Sequence, residues 1–290
     1  MSLSKLRIVI FLLIFPLLIA CSALTNYLDP NKPQYRADYA TGTPENPDQL
    51  RIISYNIQYG ENILAAIKDL IEIEELKDPD IILLQEMDEN GVDQIAKALN
   101  LNYIYYPASL HTHHRRNFGN AILSRWPIKD HEKVILPHAN PKNQQRRVAV
   151  KARLDINGVD ILAYSVHTET FWLRGWKRFD QIDTIIQDID QSCRKESCDV
   201  VIVGGDFNTL TPSSVSKIDD KFSRNGFERA TIGAGSSLKS PLIKAVLDHI
   251  YIRGTNVTDS GKVTVNSASD HYPLWVLTDF ERLANRNTDG

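Results

Sequence analysis

The chain has 290 residues and a formal net charge of −3 at pH 7, with a mass of 32.9 kDa. This length suffices for one large or two small domains with a sizeable core. With 42% hydrophobic and 24% charged residues, the composition is that of an ordinary globular protein and excludes a chain too polar to fold. The slightly acidic balance gives no general attraction to nucleic acid or anionic lipid, so such binding needs a local basic surface.

The first 21 residues read as an export signal rather than as part of the fold. A positive start precedes an apolar run, Ile8–Ala20, that is too short to span a membrane comfortably. The run closes with LIAC, which resembles the lipobox of bacterial lipoproteins. By this resemblance, residues 1–20 are a signal peptide, Cys21 is lipidated, and the exported protein is anchored in the cell envelope. Ser22 favours the outer membrane; a plain signal peptide or an uncleaved anchor is the alternative.

Residues 21–48 are rich in Pro, Asn, Asp and Thr and lack apolar periodicity, so we interpret them as the lipidated cysteine and a flexible linker. One domain is expected over 49–282, followed by a polar tail at 283–290. The remaining cysteines, Cys193 and Cys198, flank a short polar loop, and an exported chain meets an oxidising compartment. The sequence therefore predicts a local disulfide, and two thiols without a partner cluster argue against a metal site.

Apolar periodicity predicts alternating strands and helices from residue 50 onward. Strands are expected at 50–57, 81–86, 102–109, 119–125, 146–156, 159–167, 200–203, 247–252 and 274–277. Helices are expected at 61–76, 91–100 and 174–191, with short helical segments between 211 and 246. This order indicates an α/β class.

The stretch 200–208, VVIVGGDFN, contains the clearest local signal of a functional site. Four β-branched residues indicate a strand buried on both faces, and two glycines are expected to end it. Asp206 and Asn208 then leave the strand end on the same side if the chain stays extended. A carboxylate and an amide at this place suit a metal-bound or water-activating site, although an ordinary turn would use the same residues.

Other strand ends carry polar residues of the same kinds, and their number favours a site over isolated turns. Asp248, for example, shares a face with the apolar residues of its strand, where a carboxylate is costly unless it is paired. The eight residues at or beside predicted strand ends are Asn56, Glu86, His167, Asp206, Asn208, Asp248, Asp270 and His271.

With these residues in order, the chain resembles the endonuclease/exonuclease/phosphatase superfamily, which has the DNase I-like fold. The resemblance covers nearly all of 50–279, and it implies a four-layer α/β sandwich of two packed, mostly antiparallel β-sheets flanked by helices. It also implies Mg²⁺-dependent hydrolysis of a phosphoester, with Mn²⁺ as a substitute. The matching pieces are YNI (55–57), QE (85–86), GNAILSRWPI (119–128), SVHTET (165–170), GGDFN (204–208), LDHIYI (247–252) and SDHYP (269–273).

The resemblance also implies the metal ligands. Glu86 matches the principal ligand, with Asn56 and Asp270 close to it. A hard cation held by few carboxylates fits Mg²⁺, which keeps water ligands and shares phosphate oxygens. Some nuclease branches carry a carboxylate where this chain has Gln58, so a second metal position at that residue is in doubt. Whether one or two metals act stays open.

The catalytic roles follow from the same resemblance. Asp206 matches the group that orients or deprotonates the attacking water, and Asn208 matches a donor to the phosphoryl oxygens. His271, paired with Asp248, matches the histidine that contacts the scissile phosphate, and His167 lies near the leaving group. A histidine whose second nitrogen meets a carboxylate has a fixed tautomer and favours its cationic form, which suits a phosphate oxyanion.

The sequence does not single out one substrate among nucleic acid, phospholipid and small phosphodiesters. A phosphodiesterase ranks first, a secreted-type nuclease second, and a phospholipase C/sphingomyelinase-like or phosphomonoesterase activity follows. No long apolar hairpin for bilayer insertion is predicted, and we expect a monomer. Arginines that could line a basic cleft are Arg115, Arg116, Arg125, Arg146 and Arg147. Candidate substrate-binding residues are Arg115, Arg116, Asn120 and Arg147.

Two rival functions remain. A non-catalytic, membrane-tethered binding module should have lost an Asp or His of the site, and none is lost here. A zinc hydrolase could use His111, His113 and His114, but these lack the helical i, i+4 spacing of the usual pair. The aromatic residues Trp172, Trp176 and Phe179 are interpreted as packing residues at the start of a helix.

Overall fold

The computed structural model describes residues 25–42, 47–111, 114–170 and 173–280. The predicted signal peptide, Cys21 and the polar tail lie outside these ranges. In the described part of the chain, no helix is long and apolar enough to cross a membrane. The helices are α1 Ile63–Glu72, α2 Glu89–Leu99, α3 Gly175–Lys195 and α4 Pro212–Ser223.

The strands agree in most places with the predicted ones. They are β1 Thr25–Asn26, β2 Tyr35–Ala37, β3 Gln49–Asn56, β4 Ile81–Met87, β5 Asn102–Leu110, β6 Asn117–Ser124, β7 Ile128–Ile135, β8 Val148–Ile156, β9 Val159–His167, β10 Val200–Asp206, β11 Glu228–Arg229, β12 Asp248–Arg253, β13 Val257–Lys262 and β14 Leu274–Asp279. The sequence patterns missed β7 and β13, because polar residues interrupt the apolar alternation of both strands.

Two mixed sheets pack face to face, with helices on both outer faces. The first sheet has the order β1-β5-β6-β4-β3-β14-β13, with β2 also paired to β5, and the second has the order β11-β12-β10-β9-β8-β7. Helices α1 and α2 pack on the first sheet, and α3 and α4 pack on the second. The predicted four-layer α/β sandwich is confirmed. Its central layer is apolar and includes Ile52, Leu83, Ile161, Ile202 and Ile250.

One parallel pair in each sheet brings the polar strand ends to the same place. Strand β3 runs parallel to β4, with Asn56 opposite Gln85. Strand β9 runs parallel to β10, with His167 opposite Asp206, and the antiparallel β12 begins there with Asp248 opposite Asp206. Because parallel neighbours end at one edge, these residues are collected at a single end of the sandwich.

The two glycines of β10 lie inside the strand and do not end it, contrary to the sequence prediction; β10 continues to Asp206. A Cβ atom on Gly204 would lie 2.6 Å from Leu83 Cδ1 of the facing sheet. Gly205 has φ +147°, and a Cβ there would lie 1.9 Å from the carbonyl oxygen of Val166. Glycine is therefore required by close approach at this end of the strand.

The linker prediction for 21–48 is wrong for the part that the structure describes. Strands β1 and β2 both pair with the edge strand β5. Tyr27 donates to Asn117 Oδ1 at 2.9 Å, and Tyr39 donates to Asp93 Oδ1 at 2.7 Å. Strands of two and three residues are too short to give a periodic signal, but the open edge of β5 supplies backbone partners for them.

The predicted pair Cys193 and Cys198 is disulfide-bonded, with the Cα atoms 5.3 Å apart. The bond closes the turn between the last residues of α3 and the start of β10. Because the closed loop is so short, the bond restricts little of the unfolded chain.

We expect the double change Cys193→Ser/Cys198→Ser to lower the free energy of unfolding by about 2 kcal/mol, the chain-entropy value for so short a loop. Urea unfolding with and without a reductant measures this. Reductant should shift the wild-type curve to that of the variant and leave the variant unchanged. Failure of the variant to fold would show that the disulfide holds more of the domain than the local turn.

Candidate active site

A break in regular strand geometry places Glu86 at the site. Its φ is +60°, and the pairing of β4 with β6 shifts between Leu84 and Met87. Left-handed backbone is unfavourable for a glutamate, and strain of this kind is concentrated at functional sites. Gln85 turns inward instead and donates to Ser165 Oγ at 3.0 Å, which links the two sheets.

Asn56 lies between the two carboxylates of the site. Its Nδ2 donates to Glu86 Oε1 at 3.3 Å and to Asp206 Oδ2 at 3.1 Å. Its Oδ1 accepts from the backbone N–H of Gln58 at 3.1 Å. In this arrangement Asn56 presents its NH₂ group to the acids, so its role as a metal ligand stays a prediction.

His167 points one nitrogen at the acids and the other at an arginine. Its Nδ1 lies 3.4 Å from Arg147 Nη1, and its Nε2 lies 3.8 Å from Glu86 Oε1 and 3.6 Å from Asp206 Oδ2. A guanidinium can only donate, so Nδ1 is the accepting nitrogen and Nε2 carries the hydrogen. Burial, together with the positive charge of Arg147, lowers the pKa of His167 well below its usual value. His167 is therefore a neutral N–H donor facing the cleft.

His271 has the opposite electrostatic environment. Its Nδ1 lies 2.7 Å from Asp248 Oδ2, and its Nε2 lies 4.0 Å from Asp206 Oδ2. Burial alone would lower the pKa of His271, but the Asp248 and Asp206 carboxylates outweigh burial and raise it to about 10. The predicted His271–Asp248 pair is present, and it places an imidazolium in the cleft.

The cleft disfavours the ionised forms of Glu86 and Asp206. Burial raises the pKa of Glu86, although the positive charges of Arg147 and His271 offset part of the rise. Burial, together with the negative charge of Asp248, raises the pKa of Asp206 to about 7. Two acids that resist ionisation in one cleft are what a cation-binding or proton-accepting site requires.

Two groups in the described residues could hold a metal ion: Glu86, His167 and Asp206, and Asp206, Asp248 and His271, with ligand atoms within 4.8 Å of one another in each group. Because Nε2 carries a hydrogen in both neutral His167 and cationic His271, the carboxylate oxygens are the available metal ligands. Oxygen donors fit a hard divalent cation such as Mg²⁺. Asp270 is exposed at the rim, and its backbone N–H donates to Gln58 Oε1 at 3.1 Å.

Asn208 is held by three contacts at the end of β10. Its φ is +52°, and its backbone N–H donates to Asp206 Oδ1 at 2.8 Å. Its side-chain Nδ2 donates to the carbonyl oxygen of Thr168 at 3.0 Å, and its own carbonyl oxygen accepts from Arg178 Nη1 at 2.7 Å. Among the described residues, the second amide hydrogen of Asn208 has no acceptor. The roles of Thr168 and Arg178 were not predicted, because Thr168 contributes only its main-chain carbonyl oxygen and Arg178 binds the main-chain oxygen of Asn208.

Arg147 belongs to the site, and its surroundings were not predicted. It is buried, its Nε lies 3.5 Å from Glu169 Oε2, and its guanidinium lies 5.1 Å from the centre of the Phe118 ring. Asn120 instead donates its Nδ2 hydrogens to the carbonyl oxygen of Val148 in β8 at 2.9 Å and to that of Ser165 in β9 at 3.2 Å. Asn120 therefore joins the sheets and has no donor left for a phosphate.

The other predicted arginines lie in different places. Arg116 pairs with Asp88 at 2.8 Å and donates from Nη2 to the carbonyl oxygen of Tyr59 at 3.0 Å, and Arg115 is exposed with a φ of +52°. Arg125 pairs with Asp80, which precedes β4 and therefore lies at the opposite end of the sheet from Glu86. Arg125 is therefore not part of the predicted basic cleft.

Tyr59 forms an aromatic wall that the sequence did not indicate. Its backbone N–H donates to Glu86 Oε2 at 3.2 Å, and its ring centre lies 4.5 Å from that of His114 and 4.9 Å from that of His111. Neither of these histidines belongs to the metal-capable groups in the described ranges, and His113 lies outside them. In the described residues, His111 and His114 pack against the Tyr59 ring.

Among the three aromatic residues interpreted as packing residues, Trp172 lies outside the described ranges. Phe179 packs against the core between α3 and the second sheet. Trp176 is 56% exposed, meets the edge of the His138 ring and lies 5.4 Å from Lys177 Nζ, so the packing interpretation is wrong for Trp176.

We expect Asp206→Asn to stabilise the domain increasingly as the pH rises from 4 to 7. The folded-state pKa of about 7 lies above the ordinary value of 3.8, so ionisation favours the unfolded chain throughout this window. The gain should reach no more than about 4 kcal/mol and stay constant above pH 7. Unfolding curves at several pH values measure it.

Asp183→Asn is the matched control, because Asp183 lies on α3 and is paired with Lys221 near the surface. Its unfolding free energy should follow the wild-type pH dependence. Parallel curves for the Asp206 variant and the wild type would contradict the assigned burial cost.

Comparison with known proteins agrees with this arrangement. A search of the curated proteins found no match to the sequence. Among solved structures, an endonuclease/exonuclease/phosphatase family protein from Leptotrichia buccalis C-1013-b is 20% identical, with a TM-score of 0.60 over 78% of this chain and 98% of that chain. Two others are similar in fold. TDP2 from D. rerio in complex with a single-strand DNA product has a TM-score of 0.60 at 18% identity, over 80% and 99% of the chains.

The third similar structure is a mannosyl-6-phosphatase from Bacteroides thetaiotaomicron VPI-5482, with a TM-score of 0.59 at 17% identity over 78% and 98% of the chains. These identities show a shared fold. The family model of the endonuclease/exonuclease/phosphatase family matches residues 53–271, a range that begins in β3, ends at His271 and includes every strand-end residue of the site. The chain therefore belongs to the endonuclease/exonuclease/phosphatase family.

Proposed function

We propose that this protein is a Mg²⁺-dependent hydrolase of phosphoester bonds, with phosphodiesters as its first candidate substrates. The observation that supports this most directly is the position of Asp206. Its carboxylate lies within 4.0 Å of nitrogen atoms of Asn56, His167 and His271. A single acceptor surrounded by donors, beside a second acid, suits a phosphate group and its attacking water.

Mg²⁺ would be held by Glu86, with Asp206 or Asp270 contributing through oxygen atoms. When bound, it would supply positive charge at the phosphoryl oxygens. Mn²⁺ is expected to substitute, because it also accepts carboxylate oxygen donors. Asn56 donates a hydrogen bond to both Glu86 and Asp206, which offsets part of the repulsion between the two carboxylates.

Asp206 has the position and the pKa of a proton acceptor. Its Oδ1 is fixed by the backbone N–H of Asn208, and a pKa of about 7 matches a general base near neutral pH. The deprotonated carboxylate would orient a water molecule and accept its proton as the water attacks phosphorus.

The donors around Asp206 would stabilise the charge that develops on the phosphate. His271, held cationic by Asp248, would donate from Nε2 to a phosphoryl oxygen. His167 would donate its Nε2–H near the leaving-group oxygen, and Asn208 would donate its remaining amide hydrogen. Such pre-positioned donors act without reorganisation, and in other enzymes the loss of one costs about 10²–10³ in rate.

The arginine positions bear on the substrate class. Among the described residues, Arg125 lies at the opposite end of the sheet from Glu86 and the charge of Arg116 is paired with Asp88, which weakens the case for the basic groove of a nuclease. A non-nucleic-acid phosphodiester is therefore favoured, and phospholipase C-like or phosphomonoesterase activity is the second candidate. A non-catalytic module would not need two buried acids with raised pKa values. The anchoring of the exported protein in the cell envelope through Cys21 is also proposed, from the LIAC sequence.

We expect Asp206→Ala and Glu86→Ala each to lower kcat/KM by at least about 10³ while the domain stays folded, because Asp206 is the proposed proton acceptor and Glu86 is the proposed metal ligand. Hydrolysis of bis-p-nitrophenyl phosphate with Mg²⁺ measures this, and circular dichroism checks the fold. Asp183→Asn should retain wild-type turnover. Wild-type rates in both alanine variants would overturn the site assignment.

The same assay with a substrate panel distinguishes the candidates. The panel contains plasmid DNA, RNA, sphingomyelin, phosphatidylcholine and inositol phosphates. Turnover of DNA above all others would contradict the preference for a non-nucleic-acid substrate, whereas inactivity on every phosphoester would favour the binding module.

We expect Mg²⁺ or Mn²⁺, but not Zn²⁺, to restore activity after EDTA treatment. The cleft offers carboxylate oxygens and histidine N–H groups, a donor set that suits hard cations. Titration of EDTA-treated protein with each chloride salt measures the recovery. Restoration by Zn²⁺ alone would favour a zinc hydrolase instead.

A further inference from the structure

Exposed apolar side chains are concentrated on one loop beside the catalytic residues, residues 236–245, which we call the tip loop. The backbone N–H groups of Ser237 and Leu238 both donate to the carbonyl oxygen of Ala245, which closes the loop. At its tip, Leu242 is 91% exposed and Ile243 is 53% exposed. The loop lies against the active site, because Leu238 forms a β-bridge with His271.

A second loop, residues 263–269, extends the same surface. Its Val265 is 81% exposed, and Lys239 Nζ of the tip loop donates to the carbonyl oxygen of Asn266 at 2.6 Å. Leu210 and Ile232 line a groove together with Lys244 of the tip loop. Of the nine large apolar side chains exposed in the described ranges, five belong to these loops or this groove. Such a concentration is rare on a surface that contacts only water.

The two loop segments themselves carry positive charge, between the flanking acids Asp248, Asp259 and Asp270. Residues 231–247 and 260–269 contain three lysines and no Asp or Glu, although the net charge of the chain is −3. The lysines are Lys239, Lys244 and Lys262. Exposed aliphatic residues among lysines complement an anionic lipid surface. A nucleic-acid surface would instead favour aromatic residues for base stacking, and these two segments contain none.

The N-terminal segment enters the domain at the same end. Thr25, the first described residue, pairs with Leu110 at the end of β5. The end of β5 pairs with the start of β6, and the start of β6 pairs with the carboxyl end of β4. Thr25 therefore lies at the same end of the sheet as Glu86. Cys21 precedes Thr25 by only four residues. Four residues span at most about 14 Å even when extended. A lipid on Cys21, or the apolar run before it, would hold this end of the domain close to a bilayer.

We propose that the tip loop and the 263–269 loop form a membrane-contacting face that lays the catalytic end of the domain on anionic phospholipid. The partner is the headgroup region of a bilayer. Leu242, Ile243 and Val265 enter the boundary between headgroups and acyl chains, and the lysines pair with lipid phosphates. This contact concerns binding alone, so it holds or fails independently of the proposed hydrolytic activity.

A position-specific fluorophore tests this face in the full chain. With Cys21→Ala, a single thiol is introduced by Ile243→Cys or, as the matched control, by Ile71→Cys, and is labelled with NBD. Ile71 is an isoleucine of α1 with 50% exposure, against 53% for Ile243. Both proteins are titrated with vesicles of phosphatidylcholine alone and with vesicles containing phosphatidylglycerol.

The label at 243 should shift to the blue and brighten with phosphatidylglycerol vesicles, while the label at 71 stays unchanged. Lys244→Gln should weaken the response at 243 about fivefold, the effect of one lysine at an anionic surface. Equal responses at both positions would mean that the N-terminal segment alone binds, and no response at 243 would mean that the face is not used. If raising the protein concentration without vesicles changes the fluorescence of the label at 243, the face binds a second copy of the chain. Each of these three outcomes overturns the proposal.

Discussion

The arrangement of the site depends on the burial of several acids at one end of the sandwich. Glu86, Asp206 and Asp248 converge there, and like charges in a low-dielectric interior repel unless positive or donating groups lie between them. Asn56 donates to two of these acids, and His271 is held as a cation by the third. The raised pKa values of Glu86 and Asp206 show that the compensation is incomplete. The cleft therefore retains affinity for further positive charge.

The topology explains how acids far apart in sequence reach one cleft. Each sheet contains one parallel pair, and the carboxyl ends of these pairs face each other across the apolar central layer. Close contact at this end needs Gly205 in β10, where a side chain would collide with Val166. It also needs the irregular backbone at Glu86, which turns the carboxylate away from the alternation of β4. The candidate site thus lies where the regular geometry of both sheets is interrupted.

Much of this could be predicted from the sequence, because the buried strands are continuous apolar runs and the candidate site residues follow them directly. The pairing of His271 with Asp248 was predictable from the family resemblance. Residues that act through the main chain were not predictable: Arg178 binds the carbonyl oxygen of Asn208, and Tyr59 contacts Glu86 by its backbone N–H. The number of arginines in the sequence did not predict a basic cleft, because the fold places Arg125 at the opposite end of the sandwich from Arg147.

The two histidines of the cleft differ in charge, and this difference arises from their neighbours in the fold. Arg147 donates to the Nδ1 side of His167, whereas Asp248 accepts from Nδ1 of His271, so one imidazole is neutral and the other is charged. Both nevertheless direct an Nε2–H toward the carboxylate of Asp206. Any ligand that displaces these contacts must accept hydrogen bonds from both histidines while tolerating two acids. A phosphate group accompanied by a divalent cation meets both conditions, because the cation neutralises the acids and the phosphate oxygens accept from the histidines.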